Sequence, residues 1–427
     1  MPYVLGIDIG GTSTTAAVSR LHGNGWGEPE VVRLGAWGNS VPSVLHMGGD
    51  GTLTVGEPAR PEEPARPDAT RLARGFSRRI GDDVPLLVGN EPCTPQALTA
   101  VLAMWVVERV LADEGEVAEQ VVISHPASWG KYRRELLHRA LWDIGLANVT
   151  LLPEPVLVAE RHAARGVPGG TVAVYSLGGS GYETSVVSWA DPVGFRLLGS
   201  AAPVERFGGD DVDDALAALV RGKLARELRE LDGPQVRLAL FGLRRECTRA
   251  KERLSVEAET DVPVHLPRGH LRVPVTLAEL EGAIRPAVRH TVDTLVRTIH
   301  TVGVDAGQVD AVALAGGAAR MPLVAEMIAA ELPVPVAVDA DPQCTAAAGA
   351  ALAAAQLLAP PVTEYHDPVW TAEPPALRMS NPEPPPYVNE GEMGAAPPPR
   401  PPLKTTPLKL PRMRSGQRIR GLVGGRP

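Results

Sequence analysis

Two glycine-rich segments hold the residues of this chain best suited to chemistry. The first is Gly6-Ile7-Asp8-Ile9-Gly10-Gly11-Thr12-Ser13-Thr14, and the second is Val174-Tyr175-Ser176-Leu177-Gly178-Gly179-Ser180-Gly181-Tyr182. Each lies between two apolar runs of strand character, so each reads as the tight turn of a β-hairpin. Glycines at such turns let backbone N–H groups approach and cradle a phosphate. The repetition implies two facing halves with a nucleotide between them. The halves differ at one position: Asp8 stands in the first, and Ser176 stands where its partner carboxylate is expected in the second. That difference bears on whether a bound nucleotide is split.

The elements that must position these turns alternate along the chain. Strands are predicted at Tyr3–Ile9, Thr14–Arg20, Ser43–Met47, Thr52–Val55, Gln120–Ser124 and Val149–Leu152. Helices are predicted at Thr94–Asp113, Lys131–Leu141 and Glu154–Arg165. In the first of these, Leu98, Val101, Leu102, Trp105, Val106 and Val110 share one apolar face. The pattern restarts with strands at Thr171–Ser176, Thr184–Trp189 and Gly194–Ser200. Helices follow at Asp211–Arg221 and Gln235–Leu254, strands near Asp261–Leu266 and His270–Val275, and a long helix at Leu277–Thr301. Strand Asp310–Ala315, helix Met321–Leu332, strand Val334–Val338 and helix Thr345–Ala355 close the series. Hairpin, strand, helix, strand, helix occurs twice, which is a duplicated α/β architecture with a cleft.

Composition bounds the rest. A chain of 427 residues is a soft prior for two or three domains. Its 44% apolar and 22% charged residues are ordinary for a globular protein. A net charge of −8 excludes a generic nucleic-acid binder. Cys93, Cys247 and Cys344 are scattered, without metal spacing, and fit a reducing compartment. The start has no basic n-region and no apolar run reads as a membrane span, so a cytoplasmic location is expected. Folding should end near Leu358. Beyond it the chain is rich in proline, as in Pro384-Pro385-Pro386, and from Arg400 onward it is basic without acidic residues. An extended, disordered tail over 359–427 is expected.

Five ordered segments resemble the nucleotide-binding domain of the 70-kDa heat-shock (DnaK-type) chaperones, a branch of the actin-like ATPases. They are the Asp8–Thr14 turn; Ser124-His125-Pro126-Ala127 with Leu152-Pro153-Glu154-Pro155; the Gly178-Gly179 turn; Arg206-Phe207-Gly208-Gly209-Asp210-Asp211-Val212-Asp213 with Arg249-Ala250-Lys251-Glu252-Arg253-Leu254-Ser255; and Leu314-Ala315-Gly316-Gly317-Ala318-Ala319-Arg320-Met321-Pro322. The resemblance spans roughly residues 3 to 357. It implies an actin-like lobe over 1–170, a second over 171–358, and a cleft for ATP or ADP with Mg²⁺. Amides of Gly10 to Thr14 and of Gly178, Gly179, Ser180 and Gly181 would grip the phosphates, helped by the hydroxyls of Thr12, Ser13 and Thr14. Asp8 would face the magnesium through water, and Glu154 would orient water or metal beside it. Gly208, Gly209 and Asp210 would border the nucleotide. Lys251 and Ser255, four apart on one helix face, would contact adenosine. Gly316 and Gly317 would admit the purine and ribose, with Arg320 a planar partner for the base. Pro126 and Arg134 match a pair that relays nucleotide state in the family. Read alone, Asp210, Asp211, Asp213 and Asp214 cap and open a helix and do not form a metal cluster.

The departures from the family fall on its chemistry. Ser77 stands where a catalytic lysine is expected, with Arg78 and Arg79 beside it. Ser176 replaces an aspartate and Gly181 a threonine. Gln343 replaces an acid late in the chain, and Thr150 an arginine used by J-domain cochaperones. The family's interdomain linker and β-rich substrate-binding domain are expected to have no counterpart. The sequence therefore reads as an ATP-binding, heat-shock-chaperone-like switch or scaffold with weak or absent hydrolysis. A protein partner would be met through the Pro-rich tail. The alternative is an active ATPase of the DnaK-type family assisting protein folding, with Arg78 or Arg79 replacing the lysine. No specific nucleic-acid partner is expected, since the basic end lacks interleaved aromatics.

Overall fold

The apolar runs around the two glycine segments build two sheets of matching plan. The computed structural model describes residues 1–358 apart from 37, 57–67, 168, 192, 193, 202–205, 241, 267 and 268; the Pro-rich segment 359–427 lies outside the described residues. In the first sheet, β1 (Tyr3–Ile9) and β2 (Ser13–His22) are antiparallel, with Ile9 opposite Thr14. β3 (Val121–His125) runs parallel to β1, and β4 (Val149–Pro153) parallel to β3. In the second, β5 (Thr171–Leu177) and β6 (Tyr182–Ala190) are antiparallel, with Leu177 opposite Tyr182, and β7 (Gly194–Ala201) extends beyond β6. β8 (Ala311–Ala315) runs parallel to β5, and β9 (Val336–Val338) parallel to β8. Each central hairpin thus turns through four residues, 10–13 and 178–181, and carries two parallel strands on one side. The mixed α/β class expected from the repeated pattern is what these elements form.

Between β2 and the first helix lie short strands at Leu72–Arg74, Leu86–Val88 and Glu91–Cys93 that the sequence pattern did not reveal. Three residues are too few to display an alternation of period two.

Helix α1 (Pro95–Glu114) begins where Thr94 Oγ1 accepts from the Ala97 amide at 3.4 Å and ends at Gly115, whose φ of 79° leaves the helical region. By length and composition alone it is apolar enough to cross a membrane, which the sequence reading did not anticipate. Its expected apolar face is nevertheless core: Ala103, Val106 and Val110 pack with Tyr3, Leu5 and Ile7, and Leu98 and Leu102 pack with Leu45 and Phe76.

The remaining principal helices are α2 (Lys131–Asp143), α3 (Glu154–Ala164), α4 (Gly209–Lys223), α5 (Leu243–Leu254), α6 (Leu277–Thr301), α7 (Pro322–Glu331) and α8 (Thr345–Leu358). The single helix expected over Gln235–Leu254 is in fact two, Gly233–Leu240 and α5. Gly242, at φ 80°, is left-handed and cannot continue the first.

Two sets of contacts fix the hairpins. On the second sheet, Tyr175 Oη meets Thr291 Oγ1 at 2.6 Å, Tyr182 Oη meets Thr294 Oγ1 at 3.2 Å, and Thr184 Oγ1 meets Thr298 Oγ1 at 2.7 Å. The three threonines recur at helical spacing, so one face of α6 holds both strands of the hairpin. On the first, a Cβ on Gly6 would lie 2.2 Å from the Ala347 carbonyl, and one on Gly349 would lie 1.9 Å from that of Leu157. Only glycines permit β1, α8 and α3 to approach this closely. Helix α3 packs on both sheets, with Leu157 beside Val4 and Val122 and with Val158 and Ala159 beside Val172 and Val174.

Candidate functional site

The two glycine turns have one geometry. Gly10 N–H donates to the Ser13 carbonyl at 3.0 Å, and Gly178 N–H donates to the Gly181 carbonyl at 2.9 Å. They face each other closely. A Cβ on Gly11 would lie 2.6 Å from Ser180 Oγ, and one on Gly179 would lie 2.5 Å from Thr12 Oγ1. The start of α4 sits on the second turn, where Gly209 N–H donates to Gly178 O at 3.0 Å and Asp210 N–H to Gly179 O at 2.7 Å. Gly208 is required by that seat, because its Cβ would stand 2.4 Å from Gly181 N.

A cavity of about 1190 Å³ opens at these turns. Of the residues expected to hold the nucleotide or its metal, Asp8, Gly10, Gly11, Thr12, Ser13, Glu154, Gly178, Gly179, Ser180, Gly181, Gly209, Asp210, Lys251, Ser255, Gly316, Gly317 and Arg320 all line it. Two do not. Thr14 is fully buried with its Oγ1 on Ser43 Oγ at 2.9 Å, so its hydroxyl is turned away, and Gly208 lies behind the second turn.

Carboxylates gather beside the glycine turns. Asp8 accepts a hydrogen bond from Ser124 Oγ, and burial raises its pKa. Glu154 opens α3 and is pushed up to about 8, first by burial and then by the charges of Asp8 and Glu183; a hydrogen bond with Ser176 opposes the shift. Glu183 was missed in the sequence. It lies opposite Ser176 in the β5–β6 ladder, lines the cavity, and accepts the Ala127 and Ser128 amides at 3.2 and 3.0 Å. The only sequence signal was its place just after the second turn. Among the described residues no group of three or more His, Cys, Asp or Glu is disposed to hold a metal alone. A magnesium ion would therefore need phosphate oxygens and waters beside Asp8, which is how that ion is usually held. The acids present fit such a guest.

At the far end, several candidates are already engaged. Lys251 Nζ lies 2.8 Å from Asp213 Oδ1 and donates to the Gly209 carbonyl at 2.9 Å. Asp213 is therefore not a helix cap, as the acidic run implied; Asp211 is one, accepting from Gly208 N–H at 2.8 Å. Ser255 Oγ donates back to Lys251 O at 3.2 Å. Arg320 pairs with Asp341, which also accepts from Asn39 Nδ2 at 3.3 Å. Gln343 Nε2 donates to Ser13 Oγ at 2.9 Å while its chain lies against Gly317. Ser77 is buried and donates to the Gly10 carbonyl at 3.3 Å, and Arg78 donates to the Ser180 carbonyl. Arg206, part of a quoted motif but not singled out, also lines the cavity.

Paired hairpins with parallel flanking strands, meeting at facing glycine turns, are the mixed α/β arrangement that fits an actin-like ATPase domain. A model of the family described as Hsp70 protein matches residues 82–366. The chain is 27% identical over 362 residues to the chaperone protein DnaK of Elusimicrobium minutum (strain Pei191), an alignment covering 83% of this chain and 58% of that relative. This chain belongs to the Hsp70 family. It spans 58% of that relative's length.

Proposed function

We propose that this chain is a nucleotide-dependent switch or scaffold that binds ATP or ADP with Mg²⁺ between the two glycine turns and hydrolyses ATP weakly or not at all. One observation carries the reading: both turns keep the same closed geometry, while neutral Ser77 and Ser176 stand at the phosphate end. Turn amides bind phosphate without an acid or base, so binding survives the exchange. Loss of a positioned acid–base group costs ~10²–10⁴-fold in rate, so turnover is weak or absent. Asp8 and Glu154 would hold the water shell of the metal, which supplies charge neutralisation when bound. Gly316, Gly317 and Arg320 would flank base and ribose. The halves 1–170 and 171–358 act as two lobes whose closure on ATP a protein partner reads, recruited by the Pro-rich segment. The reading puts the protein in the cytoplasm.

Thermal unfolding with and without Mg-ATP tests the binding. Ligand at 100 times its Kd should add ~2.7 kcal/mol of stability, seen as a clear rise in Tm. No shift at millimolar Mg-ATP refutes the reading. Steady-state phosphate release tests the second half, and a rate equal to that of an ordinary DnaK refutes weak hydrolysis.

A further inference from the structure

Arg78 occupies a position that neither turn fills with its own side chains. It stands in the single turn Ser77–Arg79. Its neighbour Arg79 points elsewhere, with Nε 3.0 Å from Asp82 Oδ2. The Arg78 guanidinium lies over both glycine turns: a Cβ on Gly11 would stand 2.7 Å from its Nε, and one on Gly181 would stand 3.0 Å from its Nη2. A larger residue at either position would expel it. Arg206 lines the same cavity. Its charge is the strongest neighbouring influence on Arg78 after burial, and it acts to repel. Asp210 and Glu154 offset it less. Among the described residues neither guanidinium forms an ion pair. Ser180 Oγ, 2.6 Å from where a Cβ on Gly11 would stand, is buried without a hydrogen-bond partner. Two cations without an ion pair and an orphaned hydroxyl thus border the facing glycine turns, with nearby acids offsetting the repulsion between the cations only in part. A multiply charged anion completes this arrangement, because guanidinium groups bind phosphate oxygens in paired hydrogen bonds.

We propose that Arg78 and Arg206 together seat the terminal phosphate of a nucleoside triphosphate and set a preference for ATP over ADP. The inference rests on the nucleotide reading above and deepens it. The γ-phosphate draws Arg78 from the Ser180 carbonyl, whereas ADP leaves that hydrogen bond in place. The seat thus distinguishes the two nucleotides without splitting either.

Titration calorimetry of the full chain with Mg-ATP, Mg-ADP and inorganic tripolyphosphate tests this, using wild type, Arg78→Ala, Arg78→Lys and Arg206→Ala. Arg206 is exposed, so its variant keeps the fold if Arg78→Ala does not. The expected result is tighter wild-type binding of ATP than of ADP. Arg206→Ala and Arg78→Ala should each weaken ATP and tripolyphosphate by about 10- to 100-fold, the weight of a charge-assisted hydrogen bond. ADP should change less than about threefold, and Arg78→Lys should retain part of the preference. Equal weakening of ATP and ADP, or unchanged ATP binding in Arg206→Ala, overturns the inference while leaving the nucleotide reading intact. Wild-type binding of tripolyphosphate but of neither nucleotide overturns the nucleotide reading and the ATP preference with it. Binding of none of the three overturns both.

Discussion

Lys251 Nζ lies 2.8 Å from Asp213 Oδ1, with the two side chains only 14% and 4% exposed. The lysine expected from the motif resemblance to contact adenosine is thus half of a buried ion pair joining α5 to α4. Thr248 Oγ1 donates to the second Asp213 oxygen at 2.8 Å, so the carboxylate is built into the interior. Removing one partner strands the other charge, which costs about 3–5 kcal/mol, whereas replacing both with apolar groups is often neutral. Lys251→Met should therefore lower unfolding stability in urea by that amount, and Lys251→Met with Asp213→Leu should recover most of it. A loss below about 1 kcal/mol for the single change shows that the pair contributes little to the fold.

Gly208 precedes α4 and Gly222 lies in its last turn, and the two should respond oppositely to alanine. A Cβ at Gly208 meets backbone, 2.4 Å from Gly181 N and 2.5 Å from Gly179 O. Neither atom can yield without moving the second turn. Gly208→Ala should destabilise by ~1–3 kcal/mol and weaken Mg-ATP binding through the displaced turn. Gly222, inside α4 with nothing within 4 Å of its Cβ position, should gain ~0.5–1 kcal/mol as alanine. Chemical denaturation of the two variants checks both signs, and a silent Gly208→Ala contradicts the tight seat.

These residues also show what the sequence did and did not disclose. The turns were legible because glycine pairs between apolar runs leave few alternatives, and α6 has the bounds expected of it, Leu277–Thr301. The commitments of Lys251, Arg320 and Gln343 were not legible. Each depends on a partner distant in sequence, Asp213, Asp341 and Ser13, which only tertiary packing brings near. Glu183 and Arg206 were missed because the motif reading stopped at the turn or at the glycines. The break at Gly242 was overlooked because one glycine inside a helical pattern is often tolerated.

His162, only 3% exposed on α3, gives a pH dependence of defined sign. Burial is the largest influence holding its pKa below 6.5, opposed by the Leu314 carbonyl and Asp339, while Arg161 and Arg165 reinforce it. The folded protein keeps the ring neutral where the unfolded chain would protonate. Stability from this group is present above pH 6.5 and lost as the pH falls through the depressed folded value. His125 is buried and shifted in the same direction. Denaturation midpoints at pH 7.5, 6.5 and 5.5 should fall with acid, and His162→Gln should flatten the fall by no more than about 1.4 kcal/mol per pH unit. Parallel slopes for wild type and variant exclude His162 as a source.

If neutral residues at the phosphate end are what suppress hydrolysis, restoring charge should restore it. Ser176 already holds the Glu154 pKa down slightly and lies opposite Glu183. Ser176→Asp alone adds a carboxylate where burial and like charge have pushed Glu154 up to about 8. That variant should be less stable in EDTA than wild type and should recover with Mg-ATP, because the metal neutralises the added charge. Ser77→Lys alone places a cation beside Arg78 and should gain little, since like charges repel in a part-buried site. The double variant balances the two additions. Single-turnover assays should show its hydrolysis rate at least about 100-fold above wild type, the lower end of what a positioned acid–base pair contributes. If the double variant binds ATP with wild-type affinity and still fails to turn it over, Ser77 and Ser176 are not the cause. The block would then lie with Gly181 or with Gln343, which ties the first turn to the end of the second sheet.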